Sequence, residues 1–322
     1  MSANLGSDGM SSAAETPSET SSSEAEHKLL EPDPDPGITD DDDDHNDGNA
    51  AAPRPLVICF HGSGESCSPS WDKLAHTLTA VPHRLRVLLY DRGILNPRPP
   101  QATAELREYL KSEGLKGPCV LVAHSYGGAF ARTFLEQGDA GDVEIVGMVL
   151  VETGQEGGLD PEVERSQYTK RVLGTRPLSV VRGNSLMRQW TDLETAETHL
   201  PPGDEMKKED LRQRREMLKM YEAADEQMKK KQLDLAAMNA RKRYVHVPDC
   251  GHHVVRDRPD VVAGEIAWVL ENVGKVEDID GGDRRDEGGK REKREKAWET
   301  KIKKIWRFFR DIRARLLNKL AK

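Results

Sequence analysis

Strand-like apolar runs recur along this chain and alternate with segments of helical periodicity. The six runs begin at Leu56, Arg86, Cys119, Ile145, Leu178 and Tyr244. Short, continuously apolar runs are typical of strands buried on both faces. When strands alternate with helices, right-handed crossovers produce a parallel sheet with helices on both faces. We therefore expect an α/β domain whose mostly parallel sheet has about six strands.

The two ends of the chain differ in composition from its middle. Residues 1–53 contain almost no large apolar side chains and include the acidic run Asp40–Asp44, in a chain of net charge -8. Such a segment buries too little surface to offset the entropy of ordering, so a disordered acidic arm is predicted. The predicted order is this arm, an α/β domain at 54–274, a charged linker at 275–294 and a basic amphipathic helix at 295–322.

The apolar residues of the last segment follow one another at steps of three and four. They are Trp298, Ile302, Ile305, Phe309, Ile312, Leu316 and Leu320. Lys and Arg fill the opposite face, which favours binding to a membrane surface or to the groove of a protein partner. The alternative is a helix packed on the domain or on a second copy. Nucleic acid is not expected as a partner, because so wide an apolar stripe would have no role there.

Localisation is inferred from the cysteines and from the lack of targeting signals. No apolar stretch approaches the length of a transmembrane helix, and the N-terminus lacks the features of a secretory signal. The four cysteines are far apart, and Cys59 and Cys119 fall inside strand-like runs. This pattern predicts a reducing compartment without structural disulfides or zinc. We expect a cytoplasmic protein, with peripheral membrane attachment through the basic helix as a further option.

The third apolar run leads into Ala123-His124-Ser125-Tyr126-Gly127-Gly128 and then into a helix. A strand, a tight turn centred on Ser and a helix form a nucleophile elbow. Small residues are needed two positions before and after the Ser, because strand and helix backbones nearly touch there. Ala123 and Gly127 meet this need, so Ser125 is predicted to be a nucleophile. A plain turn with a helix cap is the alternative.

A glycine-rich loop, His61-Gly62-Ser63-Gly64, follows the first predicted strand. Next to an elbow, such a loop supplies one backbone N–H of an oxyanion hole, and the residue after the nucleophile supplies the other. Ser63 and Tyr126 are the predicted donors. A phosphate site is disfavoured because the loop lacks the Gly-Lys-Ser/Thr and G-x-G-x-x-G patterns. His61 is interpreted as structural.

The last predicted strand is followed by Pro248-Asp249-Cys250-Gly251-His252-His253. Histidine is suited to take and return a proton near neutral pH. His252, directly after the Gly, is the preferred general base over His253. A metal site is conceivable at two adjacent His, but no paired carboxylate or thiol spacing supports it, and no metal is predicted.

Together with Tyr90-Asp91-Arg92, these motifs resemble the α/β-hydrolase family in order and spacing, over about residues 55–273. The resemblance implies a cofactor-free, esterase-like serine hydrolase acting on a small ester, thioester or amide. It also implies that the family's first two antiparallel strands are missing and that the cap is small or absent, with 184–210 as a candidate lid. Epoxide or haloalkane hydrolysis would need Asp in place of Ser125. The alternative is an inactive scaffold that binds a partner or membrane.

The acidic member of a triad is less clearly marked. The family commonly places it after the strand that here ends Val180-Val181-Arg182-Gly183, but Asn184-Ser185-Leu186 follow. Some members place it one strand earlier, where Glu152 stands, in the chain order Ser, acid, His. Glu152 is the preferred candidate and Asp192 the second. A weak or missing third member is the remaining alternative.

Overall fold

The computed structural model describes residues 27–32, 54–92, 97–138, 143–154 and 158–277. The predicted basic helix at 295–322 lies outside these ranges, as do most of the acidic arm and nearly all of the charged linker. The predictions made for those segments therefore stay predictions.

Seven strands form one sheet in the order β1-β3-β2-β4-β5-β6-β7. Their bounds are Lys28–Leu30 (β1), Leu56–Phe60 (β2), Arg86–Tyr90 (β3), Gly117–His124 (β4), Val143–Val151 (β5), Leu178–Arg182 (β6) and Lys242–His246 (β7). The strands from β2 to β7 pair in parallel throughout. The predicted parallel sheet of about six strands is confirmed.

The sheet also contains an antiparallel strand, β1, so the prediction that both of the family's first strands are missing was wrong. Lys28 pairs with Leu89 of β3 within the segment expected to be disordered. The ring of His27 packs against Tyr90 at 4.9 Å and Tyr109 at 4.8 Å between centroids. A strand of three residues has no recognisable periodicity, and these contacts between distant segments hold it in place.

Helices cover both faces of the sheet, as predicted. They are α1 (Asp72–Thr79), α2 (Pro99–Ser112), α3 (Gly127–Glu136), α4 (Pro161–Lys170), α5 (Met187–Thr198), α6 (Glu205–Lys231), a 3-10 helix (Gln232–Leu235), α7 (Val254–Asp257) and α8 (Pro259–Glu271). Successive residues of β4 point to opposite faces. Leu121 packs with Phe130 in one apolar cluster, and Val120 packs with Trp71 and Ile266 in the other.

Helices α5 and α6 form a helical hairpin inserted between β6 and β7, which we call the α5–α6 hairpin. It has a small apolar cluster of its own around Leu193, Leu211 and Leu218. Helix α6 ends at Lys231, and the chain then turns through the 3-10 helix into β7. The hairpin begins just beyond the carboxyl end of β6 and includes the candidate lid.

All four cysteines are free and buried. Within the ranges that the structure describes, we find no helix with the length and apolar character needed to cross a membrane.

The packing of β1 predicts that removing residues 1–32 will destabilise the domain, whereas removing residues 1–26 will not. The longer deletion removes the strand, the ring of His27 and the partly buried Leu29 and Leu30. We expect a loss of about 1–3 kcal/mol in the free energy of unfolding, measured by urea denaturation. Equal stability of the two truncated proteins would show that β1 contributes nothing.

Candidate active site

Ser125 lies at the turn between β4 and α3 with φ of 52°. A positive φ is strained for a residue with a side chain and occurs most often at functional sites. Two backbone hydrogen bonds hold the turn. The N–H of Ser125 donates to the carbonyl of Val151 at 3.0 Å, and the N–H of Gly128 donates to the carbonyl of Ser125 at 2.9 Å. The strand–turn–helix arrangement expected of an elbow is therefore present.

Gly127 allows the start of α3 to pack directly on the end of β2. A Cβ at this position would lie 2.1 Å from the carbonyl oxygen of Phe60 and 2.7 Å from that of His61. These are backbone atoms that cannot move aside, so only glycine fits. The same approach brings the loop after β2 against the turn, since a Cβ on Gly62 would lie 3.4 Å from the Cβ of Ser125.

His252 lies between Ser125 and Glu152, in the loop that connects β7 to α7. Its Nε2 is 3.0 Å from the Oγ of Ser125, and its Nδ1 is 3.0 Å from Oε2 of Glu152. With Nδ1 protonated and donating to the carboxylate, Nε2 is left as an acceptor for the serine hydroxyl. A hydroxyl bonded in this way to a basic nitrogen can be activated as a nucleophile.

Glu152 follows β5 with φ of 54° and is fully buried. Its Oε1 accepts the N–H of Gly183 at 2.7 Å, and its Oε2 accepts the hydroxyl of Ser185 as well as the ring of His252. Gly183 and Ser185 occupy the loop after β6, where the family commonly places the acid. This loop instead donates two hydrogen bonds to the acid of the neighbouring strand.

The buried carboxylate of Glu152 is kept ionised by its partners. Burial by itself raises its pKa, but the hydrogen bond from His252 and the charge of Lys229 act in the opposite direction, together with the donors Ser185 and Gly183. The net result lowers the pKa of Glu152 from 4.5 to about 2. A negative charge beside Nδ1 stabilises the imidazolium that forms when His252 takes a proton.

The other candidates lie elsewhere. Asp192 is exposed on α5. His253 places Nδ1 3.3 Å from Oε1 of Glu65, a contact between the loop after β7 and the loop after β2. The structure thus brings together Ser125, His252 and Glu152.

Arg92, two residues after β3, holds the loop that contains Ser63. Its Nη1 donates to the carbonyl of His61 and its Nη2 to the carbonyl of Gly62, each at 2.7 Å, and its Cζ lies 4.2 Å from the ring centroid of Phe130. In a trans peptide the C=O and the following N–H point in opposite directions. Arg92 therefore directs the N–H of Gly62 and of Ser63 away from itself. Tyr126, the second predicted donor, directly precedes α3.

Two buried histidines, His61 and His124, lie beside the site. Burial, the largest effect, and the charge of Arg92 lower the pKa of His61 to about 4, and burial lowers that of His124 to about 3. Both rings are therefore neutral at physiological pH. Nε2 of His124 is 2.9 Å from the carbonyl oxygen of His252, which fixes the loop that carries the imidazole. Nδ1 of His61 is 2.9 Å from the carbonyl oxygen of Gly62, a contact within the loop after β2.

Several contributors to this site were not found by sequence reasoning. Arg92 belongs to the motif Tyr90-Asp91-Arg92, and His124 directly precedes Ser125. The sequence therefore indicated that both residues lie near the site, but not what they do there. Ser185 and Lys229 carried none, because one is an ordinary loop serine and the other stands in a run of three lysines. Among the described residues, no cluster of three or more His, Cys, Asp or Glu side chains is suited to hold a metal ion.

Residues 57–265 match the sequence model of a protein family, the alpha/beta hydrolase family. The probable transporter efuK of Hormonema carpetanum is 22% identical over 295 residues, an alignment that covers 70% of this chain and 40% of that protein. This chain therefore spans less than half the length of that relative.

Two solved structures resemble the chain at low identity. An esterase from Thermogutta terrifontis is 14% identical with a TM-score of 0.43, covering 77% of this chain and 93% of its own. A serine hydrolase involved in carbazole degradation is 13% identical with a TM-score of 0.42, covering 69% and 92%.

The contact at Gly127 predicts that Gly127→Ala will be strongly destabilising. The added methyl group would overlap the backbone of β2, so we expect a loss of at least about 3 kcal/mol in the free energy of unfolding, measured by urea denaturation. Gly264→Ala is the matched control, because a Cβ there meets nothing within 4 Å. On the exposed face of α8 it should stabilise by about 0.5–1 kcal/mol. Similar effects of the two substitutions would contradict the tight approach.

The lowered pKa of Glu152 predicts that this carboxyl group stabilises the fold near neutral pH and that the contribution is lost in acid. A carboxyl group with a folded pKa below its unfolded value stabilises the fold above about pH 4.5. That contribution is lost as the pH falls toward 2. The free energy of unfolding of the wild-type protein should therefore fall more steeply between pH 5 and pH 3 than that of Glu152→Gln, in chemical denaturation series. Asp192→Asn, an exposed control, should retain the wild-type slope. Equal slopes for wild type and Glu152→Gln would contradict the expectation.

Proposed function

The chain belongs to the alpha/beta hydrolase family, and we propose that it is a serine hydrolase acting on a small carboxylic ester, thioester or amide. The observation that carries this proposal is the hydrogen-bonded series Ser125 Oγ, His252 and Glu152, with both distances at 3.0 Å. A neutral hydroxyl, an imidazole and a buried carboxylate in this order are the parts that acyl transfer needs.

In the proposed reaction, Ser125 Oγ attacks the carbonyl carbon of the substrate while His252 Nε2 takes the hydroxyl proton. Collapse of the tetrahedral intermediate breaks the bond to the leaving group, which receives that proton from the imidazolium. The acyl group then stays on Ser125 as an ester. Water, deprotonated by His252, attacks this ester and releases the carboxylic acid, which restores the hydroxyl of Ser125.

Glu152 acts in this scheme through His252. Its carboxylate fixes the tautomer with the proton on Nδ1 and stabilises the imidazolium in each half of the reaction. The low pKa of the carboxyl group supports this role, because Glu152 remains charged over the whole pH range in which a histidine titrates.

The oxyanion is proposed to bind to the backbone N–H groups of Ser63 and Tyr126. Two observations support this assignment. Arg92 holds the carbonyl of Gly62 and so turns the N–H of Ser63 to the opposite side. Tyr126 lies at the start of α3, where the dipole of the helix favours developing negative charge. The proposed reaction uses no metal and no cofactor.

The proposal predicts covalent labelling of Ser125 by a fluorophosphonate probe. Wild-type protein should label, and Ser125→Ala should not. His252→Ala and Glu152→Gln should label more slowly by roughly 10²–10⁴-fold, because each removes one member of a cooperating group. Asp192→Asn, which removes the second candidate acid, should label at the wild-type rate.

A folded wild-type protein that does not label would contradict the proposal and favour the alternative, a scaffold without turnover. Loss of labelling in Asp192→Asn but not in Glu152→Gln would instead reassign the acid. Membrane or partner binding by the helix at 295–322 and peripheral or cytoplasmic localisation stay predictions from the sequence.

A further inference from the structure

Lys229 on α6 places a fully buried ammonium group beside the candidate acid. Its Nζ donates to the carbonyl of Thr153 at 2.8 Å and lies 3.9 Å from Oε2 of Glu152 and 3.9 Å from Oδ1 of Asp225. Both the Lys229 and the Glu152 side chains have 0% exposure. The next two residues of α6 are also lysines, but both are exposed.

A buried ammonium group is expensive to desolvate and persists only where charges and acceptors compensate it. An apolar side chain of similar volume would fill the same space without that cost, so packing alone does not account for a lysine. The compensation here comes from two carboxylates and one carbonyl group. One of those carboxylates is hydrogen-bonded to His252.

The surrounding contacts show how the α5–α6 hairpin is joined to the site. Asp225, one helical turn before Lys229, accepts a hydrogen bond from Nε of Arg182 at 2.7 Å. Gln232, in the 3-10 helix that follows α6, donates to the carbonyl of Thr153 at 2.9 Å and accepts from its hydroxyl. The end of α6 is thereby tied to the residues that follow β5 and to the end of β6.

We infer that Lys229 is a positioning residue for the Glu152 carboxylate, and that the α5–α6 hairpin controls the basicity of His252 through the charge of this ammonium group. The inference rests on the proposed function. The ammonium group of Lys229 contacts Thr153, Glu152 and Asp225. Its charge acts on Glu152 directly and on the imidazole across the Glu152 carboxylate.

The charges around Glu152 and His252 determine whether Lys229 raises or lowers the basicity of the imidazole. Glu152 faces His252 and Lys229, and His124 and Cys250 lie within its field. The ring of His252 contacts those of His124 and His253. Lys229 opposes positive charge on the imidazole and favours negative charge on Glu152, so it shifts both groups toward deprotonation. Removing its charge should make His252 harder to deprotonate.

The experiment measures the second-order rate constant of fluorophosphonate labelling against pH, in the full chain. The low-pH side of this profile, its acid limb, reports protonation of the general base, His252, in the free enzyme. Lys229→Met should move the midpoint of this limb to higher pH by about 0.5–1 unit, a shift expected for one charge a few ångströms away in a partly polar interior. Rates are normalised to the folded fraction measured by circular dichroism.

Lys230→Met is the matched control. Lys230 is the next residue and carries the same charge, but it is half-exposed and pairs with Glu226 at 2.6 Å. Its charge is screened by solvent, so the acid limb should keep its wild-type midpoint. A shift as large as that of Lys229→Met would contradict a specific ion pair.

Asp225→Asn should shift the midpoint of the acid limb in the opposite direction. It tests the inference even if Lys229→Met does not fold. It removes a negative charge that compensates Lys229 and Arg182, so the acid limb should move to lower pH. A merely structural role for both residues would not give opposite shifts. An unchanged midpoint in both variants, or shifts in the same direction, would overturn the inference while leaving the proposed function intact. A wild-type protein that does not label would overturn the proposed function, and this inference with it.

Discussion

Two backbone hydrogen bonds beyond the ends of the strands place the candidate site. The N–H of Ser125 donates to the carbonyl of Val151, and the N–H of Glu152 donates to the carbonyl of Val181. They continue the parallel pairing of β4 with β5 and of β5 with β6 by one residue. Because Ser125 and Glu152 both then turn with positive φ, their side chains leave the sheet at the same edge. His252 can reach both from the loop after β7.

Around this frame, the buried charges of Arg182, Asp225, Lys229 and Glu152 are arranged so that each lies beside one of opposite sign. Arg182 pairs with Asp225, Asp225 and Glu152 flank Lys229, and Glu152 accepts from His252. Breaking any one pair would leave an uncompensated charge in a region of low polarisability. These ion pairs, made by Asp225 and Lys229 of α6, link the α5–α6 hairpin to the site, although the hairpin has a small apolar cluster of its own.

The buried strands and the elbow are the elements whose local sequence pattern coincides with their tertiary role. The buried strands were recognised because they are continuously apolar, and Gly127 because the elbow needs a small residue there. Strand β1 has no such local pattern, because its three residues depend on pairing with β3 and on the packing of His27 against Tyr90 and Tyr109. The sequence favoured Glu152 over Asp192 without deciding between them, since spacing along the chain does not say which carboxylate faces the imidazole.

The sequence by itself therefore determined the fold class, the parallel sheet and the candidate residues Ser125 and His252. Each depends on periodicity or on a steric need expressed within a few residues. Only the tertiary structure decided which acid meets His252, that Arg92 orients the loop after β2, and that Lys229 is buried beside Glu152. These facts depend on contacts between residues from 30 to 100 positions apart, for which a single sequence carries no local signal.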